Sequence, residues 1–208
     1  MMNILFDLDG TVIDSKMRLY CLFCDITSQN KLSFDDYWNF KRSMINHETI
    51  LTKYFQYTKG EYFDFEKKWM SLIESDAYLN YDKVFDFTVP VLQTLKSNKN
   101  KLYLITARQS KEKAIMELNK MGLFDFFKNI LVTENKKSKL DLIKETKLQL
   151  LNNDILVGDT GLDIQTAKAL NLISVAVLSG FRNKEVLEKY LPNFIENDIQ
   201  FLLNYVKE

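Results

Sequence analysis

The chain has one histidine, His47, and two cysteines in 208 residues. A single histidine with no motif around it argues against a Ser-His-Asp triad and a histidine-rich zinc site. Two cysteines cannot build a disulfide framework. They stand together as Cys21-Leu22-Phe23-Cys24, with no second pair beside them and no strand before them. They therefore read as two small apolar residues three apart on one helix face, not as a redox or metal motif. Net charge is missing too, with 28 basic residues against 28 acidic ones. A balanced chain sets up no long-range field for nucleic acid or an anionic membrane, so neither is expected as a partner. No apolar run approaches the length of a membrane span, and there is no repeat or low-complexity tract. The first strand motif begins almost at Met1, which leaves no room for a signal peptide. The expectation is a soluble, cytoplasmic protein.

What is present divides into two textures. Hydrophobic residues make up 46% of the chain, enough for one sizeable domain or a core with a smaller appendage. From about residue 14 to 85 the sequence is helical and rich in aromatics, among them Tyr20, Phe23, Tyr37, Trp38, Phe65 and Trp69. Ser33 and Asn46 look like helix starts, and Gly60 marks a break. About four helices and no strand are expected there, packed as a small bundle with the aromatics as its core. From about residue 88 helices and strands alternate. Strands are expected at 102–106, 130–132, 155–157 and 173–177. Helices are expected from Pro90 to Ser97, Ser110 to Lys120, Ser138 to Leu150, Leu162 to Leu170, near Asn183, and from Asp198. Continuous apolar strands alternating with helices predict a parallel α/β sheet covered on both faces. Ligands of such sheets bind beyond the carboxyl ends of the strands.

The residues at those ends carry the chemistry. The apolar run Ile4-Leu5-Phe6 leads into Asp7-Leu8-Asp9-Gly10-Thr11. Where the strand gives out, both carboxylates can converge on one point, and they repel unless a cation or proton lies between them. Mg²⁺ would supply that charge, and a metal-assisted carboxylate nucleophile points to phosphoryl transfer. A second strand runs into Thr106-Ala107-Arg108. There a hydroxyl and backbone N–H groups either hold a phosphate oxygen or simply cap a turn. A third runs into Gly158-Asp159-Thr160-Gly161-Leu162-Asp163. Asp159 could complete a carboxylate cage. Asp163 is either a brace for that cage or a plain acid at a helix start. Between them lie Lys136, Lys137 and Lys139, of which one could neutralise a phosphate and two must be solvated.

In this order, Asp7-Leu8-Asp9-Gly10-Thr11, Thr106, one lysine and Gly158-Asp159 with Asp163 resemble the four motifs of the haloacid dehalogenase superfamily. The nearest subgroup resembles the phosphoglycolate-phosphatase-like hydrolases, on Leu156-Val157-Gly158-Asp159, Ala167-Lys168-Ala169 and Val175 to Phe181. The resemblance implies a doubly wound parallel, Rossmann-like core at 1–13 and 86–208, with an inserted α-helical cap at 14–85. It implies Asp7 as the nucleophile that forms an aspartyl-phosphate and Asp9 as the acid and then the base. Mg²⁺ would be held by Asp7, the backbone carbonyl of Asp9, and Asp159, with Asp163 in support. Gly10, Thr106, Ala107, Arg108 and Lys139 would bind the phosphoryl group. Lys139 is preferred to Lys137 because Leu140-Asp141-Leu142-Ile143 follows it. The acid role requires the pKa of Asp9 to rise in the closed site. Ser15 and Asp14 read as the start of the first cap helix. Lys41, Arg42 and His47 are candidates to face the site, with exposed surface the preferred reading for each. The implied activity is hydrolysis of a small phosphorylated metabolite. A phosphomutase would use the same residues, and a phosphate-binding module without turnover would keep the fold. A dehalogenase is disfavoured because it needs neither Mg²⁺ nor Asp9.

Overall fold

Strands in this chain alternate between two buried faces, which fixes how the sheet is sandwiched. A computed structural model describes residues 2–28 and 32–206. Its strands are β1 (Asn3–Phe6), β2 (Ile13–Asp14), β3 (Lys83–Val84), β4 (Lys101–Thr106), β5 (Asn129–Val132), β6 (Ile155–Gly158), β7 (Ile173–Val177) and β8 (Phe194–Glu196). Six of them form one parallel sheet in the order β5-β4-β1-β6-β7-β8. Ile4, Phe6, Leu102, Leu104, Ile155 and Val157 pack on one face. Leu5, Tyr103, Ile105 and Leu156 pack on the other. This is the two-sided burial that continuous apolar strands demand. The central strand β1 is flanked by β4 and β6, and the strand order reverses direction around it. Ligand crevices open at such a reversal.

The first five helices are α1 (Lys16–Thr27), α2 (Phe34–Arg42), α3 (His47–Tyr54), α4 (Lys59–Leu72) and α5 (Asp76–Leu79). Ser33, Asn46 and Thr58 cap α2, α3 and α4 with side-chain oxygens. These helices enclose a separate cluster of Phe23, Tyr37, Trp38, Ile50, Leu51 and Phe65. The remaining helices are α6 (Thr88–Ser97), α7 (Lys111–Lys120), α8 (Lys139–Glu145), α9 (Gly161–Ala169), α10 (Lys184–Glu188) and α11 (Leu202–Tyr205). Gly122 follows α7 at φ +68°, as a C′ glycine does.

The structure departs from the sequence reading in three places. The chain enters and leaves the helical segment through an antiparallel pair, β2 with β3, where no strand was expected. Helix α8 stops at Glu145 instead of Leu150. Lys147 is left-handed at φ +53°, and Leu148 and Leu150 pack on the sheet face without continuing the helix. Among the described residues the helical segment holds five helices, α1 to α5, where about four are expected from the sequence.

Candidate active site

Three strand ends bring the motif residues to one place. Asp7 follows β1, and its backbone N–H donates to Val157 O at 2.9 Å, which ties the end of β1 to β6. Thr106 closes β4, and Asp159 follows β6. Lys139 reaches in from the first turn of α8, where Ser138 caps the helix. Its Nζ lies 2.5 Å from Asp7 Oδ1 and 2.5 Å from Asp163 Oδ1. Burial works against the ammonium, but Asp163 and Asp7 more than offset it and hold the Lys139 pKa well above its usual range. Lys137 points elsewhere, pairing with Glu145 at 2.7 Å on the exposed side of α8. Burial raises the Asp7 carboxyl to about 7 against the pull of Lys139, and the nearby Asp163 and Asp9 charges add to the rise.

Asp163 is the acid at a helix start that the sequence offered, and it also contacts Lys139. Its Oδ2 accepts from Thr160 N at 3.1 Å and Thr160 Oγ1 at 2.6 Å, forming a capping box at the start of α9. Its Oδ1 braces Lys139. Asp159 is fully buried. Its Oδ2 accepts from Phe181 N at 2.5 Å, while Oδ1 has no partner at all. Burial, then Asp7 and Asp163, push its carboxyl well above the usual range. Two glycines make room for it. A Cβ on Gly10, which sits at φ +85°, would come within 2.5 Å of Asp159 Oδ2 and 2.7 Å of Gly180 Cα. One on Gly180 would collide with the same carboxylate.

Asp7, Asp159 and Asp163 each offer a carboxylate oxygen within 4.8 Å of the others. Buried like charges at that spacing, one with an orphaned oxygen, fit a hard divalent cation with oxygen ligands such as Mg²⁺.

Asp9 has different surroundings. Arg108 donates to it from Nε at 2.6 Å and Nη2 at 2.8 Å, and Arg18 Nη2 donates from the other side. Burial would raise this carboxyl, but the two guanidiniums outweigh it and hold Asp9 well below the usual range. The expected rise is therefore absent, because Asp9 is ion-paired twice. Arg108 also meets Asp82 at 3.0 Å and Glu117 at 3.1 Å. Its Nε and Nη2 are thus engaged by carboxylates, while Nη1 has no partner and the residue lines the cavity. The reading of Gly10 as a phosphate ligand is corrected by its hydrogen bonds. Its N–H donates to Ile13 O at 2.8 Å and its carbonyl accepts from Ser179 Oγ at 2.7 Å, so it shapes the pocket around Asp159 and leaves no free N–H for phosphate.

These groups open on a cavity of about 420 Å³. The sheet side contributes Asp7, Asp9, Thr106, Ala107, Lys139 and Asp159. The helical side contributes Leu19, Lys41, His47, Trp69, Ile73 and Glu74. Lys41 and His47 thus face the cavity, contrary to the exposed-surface reading. Arg42 does not line it, and Ser15 is the N-cap residue of α1 as expected. Arg18, Asp82 and Glu117 belong to no motif and were missed. Two of them carried a signal: Arg18 precedes Leu22 by four residues, and Glu117 follows Ala114 by three, so each falls within an otherwise apolar helical stripe. Cys21 and Cys24 are free and half-buried on α1. No helix among the described residues is long and apolar enough to cross a membrane.

The class so defined is a doubly wound α/β protein with buried acids and a lysine gathered at the carboxyl edge of its parallel sheet. Residues 4–177 match the haloacid dehalogenase-like hydrolase family, and the chain belongs to that family. It is 26% identical over 223 residues to a protein of Caldanaerobacter subterraneus subsp. tengcongensis named "Putative pyrophosphatase PpaX", covering 98% of this chain and 94% of that one. Among solved structures it is similar to a Clostridium difficile protein described as a "Putative Phosphatase" (TM-score 0.82, 20% identity, 99% and 98% of the two chains). It is also similar to a "predicted phosphoglycolate phosphatase" from Haemophilus somnus (TM-score 0.76, 18% identity, 99% and 98%). These two likenesses establish the shared fold.

Proposed function

We propose that the chain is a Mg²⁺-dependent phosphatase that hydrolyses a small phosphorylated metabolite through an aspartyl-phosphate on Asp7. The observation that carries this reading is the position of Lys139 Nζ, 2.5 Å from both Asp7 and Asp163, beside the orphaned oxygen of Asp159. Asp7, the Asp9 carbonyl and Asp159 would hold Mg²⁺, with Asp163 behind them. When bound, the ion would neutralise the carboxylates and the phosphoryl oxygens. Phosphoryl transfer asks mainly for position and positive charge. Lys139 supplies charge, Thr106 and the backbone at Ala107 bind phosphoryl oxygens, and Asp7 attacks the phosphorus in line with the leaving oxygen. Asp9 then takes a proton from the water that attacks the acyl phosphate and releases phosphate. Its two arginine partners favour the ionised form that this step needs. The preceding protonation of the leaving group needs that clamp loosened. Arg18 is carried by α1 and Arg108 by the sheet side, so relative movement of the two parts would separate them.

In this reading residues 14–85 act as a cap over a core of 1–13 and 86–208. The support is their separate aromatic cluster and the cavity lined from both sides. A cap that closes on substrate excludes bulk water from the reacting centre. The names of the relatives, a pyrophosphatase and a phosphoglycolate phosphatase, agree with this class of substrate. Phosphate release from p-nitrophenyl phosphate tests it. Turnover should require Mg²⁺, stop with chelator, and be lost in Asp7→Asn. Turnover that survives Asp7→Asn rejects the reading.

A further inference from the structure

Four cationic side chains line the cavity: Arg18, Lys41, Arg108 and Lys139. Arg18 and Arg108 are paired with Asp9 and Asp82, and Lys139 with Asp7 and Asp163. Lys41 alone has no carboxylate partner among the described residues. Glu74, the acid on the same helical side, is already used. Its carboxylate accepts from Gln109 N at 2.6 Å and Ser110 N at 3.0 Å.

The surroundings of Lys41 hold it in place without neutralising it. It lies near the end of α2, half-buried. Arg182 Nη1 donates to the Lys41 carbonyl at 2.7 Å and to the Phe181 carbonyl at 3.0 Å, which fixes a second cation behind the first. Burial, with Arg182 adding to it, pushes the ammonium down to about 8. His47 adds no negative charge. Burial and the Lys41 charge keep it neutral, and its Nε2 is hydrogen-bonded to the Tyr37 hydroxyl at 3.0 Å. Its ring packs on Trp69, 4.3 Å between centroids. The walls nearby are apolar: Leu19, Trp69, Ile73 and Phe181. A partly desolvated cation without a counter-ion, on the wall of a cavity whose other end is built for phosphate, lacks one group: an anion.

We propose that Lys41 is the specificity-determining residue of this site and that the substrate carries a second anionic group, a carboxylate or a second phosphoryl group, which Lys41 binds. This rests on the phosphatase reading above. It adds that the substrate is charged at both ends and small enough for a cavity of about 420 Å³.

The test uses three compounds: phosphoglycolate (phosphate and carboxylate), pyrophosphate (two phosphoryl groups) and ethyl phosphate (one anionic group). Wild type should prefer at least one of the first two over ethyl phosphate. In Lys41→Met that preference should fall about tenfold or more, mainly through KM, because a charge-assisted contact has been removed. Lys41→Arg should keep most of it. Whichever compound loses more identifies the second group. A wild type that favours ethyl phosphate, or a Lys41→Met enzyme with unchanged preference, overturns the proposal. Release of no phosphate from any of the three by wild type refutes the hydrolase reading instead. Calorimetric titration of the three compounds onto Mg²⁺-loaded wild type and Lys41→Met then decides the role of Lys41 by the same ratio.

Discussion

Arg108 grips Asp9 with two nitrogens, Nε at 2.6 Å from Oδ2 and Nη2 at 2.8 Å from Oδ1. The same guanidinium reaches Asp82 and Glu117. Two arginines thus serve three carboxylates, of which Asp82 and Glu117 are buried, and burial already raises the Asp82 carboxyl to about 8.

Arg108→Met should be strongly destabilising. Removing one partner of a buried ion pair typically costs about 3–5 kcal/mol, since the charges left behind stay desolvated. For a chain of this size that corresponds to a fall in Tm of about 10 °C or more. The deficit should be larger at pH 9 than at pH 7, because Asp82, at about 8 with both arginines in place, ionises above that value and then lacks its Arg108 partner in the variant. Thermal unfolding of the variant and wild type at the two pH values checks both statements.

Mg²⁺ should stabilise the protein more at pH 8 than at pH 5. In the metal-free protein the Asp7 carboxyl is raised to about 7 from 3.8. The folded state therefore binds a proton that the unfolded state does not between those values, and the stability from this group is lost as pH rises through them. Above pH 7 the Asp7 carboxylate is ionised in its buried site, and a divalent cation there relieves that directly. The rise in Tm on adding Mg²⁺, measured across this range, should grow with pH.

Gly180→Ala should weaken Mg²⁺ binding with the fold intact. Its Cβ would collide with the Asp159 carboxylate, which must turn or shift to make room. Overpacking of this kind costs roughly 1–3 kcal/mol. Titration of Mg²⁺ followed by Tm or calorimetry should show weaker binding in the variant, while far-UV circular dichroism stays unchanged.

Lys41→Met should stabilise the protein at pH 7, by on the order of 1 kcal/mol, since it replaces a partly buried, unpaired cation with an apolar side chain of similar length. The folded pKa of about 8 lies below the usual 10.5. The cost of the charge is therefore present below pH 8 and relieved as pH rises towards 10.5. The gain in Tm over wild type should accordingly shrink between pH 8 and 10.

What was legible in the sequence follows physical rules of different reach. The alternation that sends Leu5 one way and Ile4 and Phe6 the other is local, so the parallel sheet and the acids at its edge could be read from apolar runs and the residues that end them. Lys139 was separable from Lys137 only by resemblance, and the structure turns Lys137 outward to Glu145. The two-residue strands β2 and β3 are too short to show a period. The double clamp on Asp9 joins α1, the segment after α5, the end of β4 and α7, and no spacing rule spans those stretches. Its traces were Arg18 and Glu117, charged residues within apolar stripes, which on a helix surface read as solvated. Lys41 was dismissed for a similar reason: a lysine near the end of an exposed helix is usually in water, and only the closing of the helices on the sheet puts this one in a cavity.

The central claim is that Asp7 carries the phosphoryl group during turnover. Its most direct test is to mix the Mg²⁺-loaded enzyme with substrate, quench in acid during the steady state, and analyse the peptides by mass spectrometry. The account predicts a hydroxylamine-labile gain of one phosphoryl group on the peptide containing Asp7, absent from Asp7→Asn. Phosphate release at full rate with no phosphorylated peptide, or the label on another residue, would contradict it.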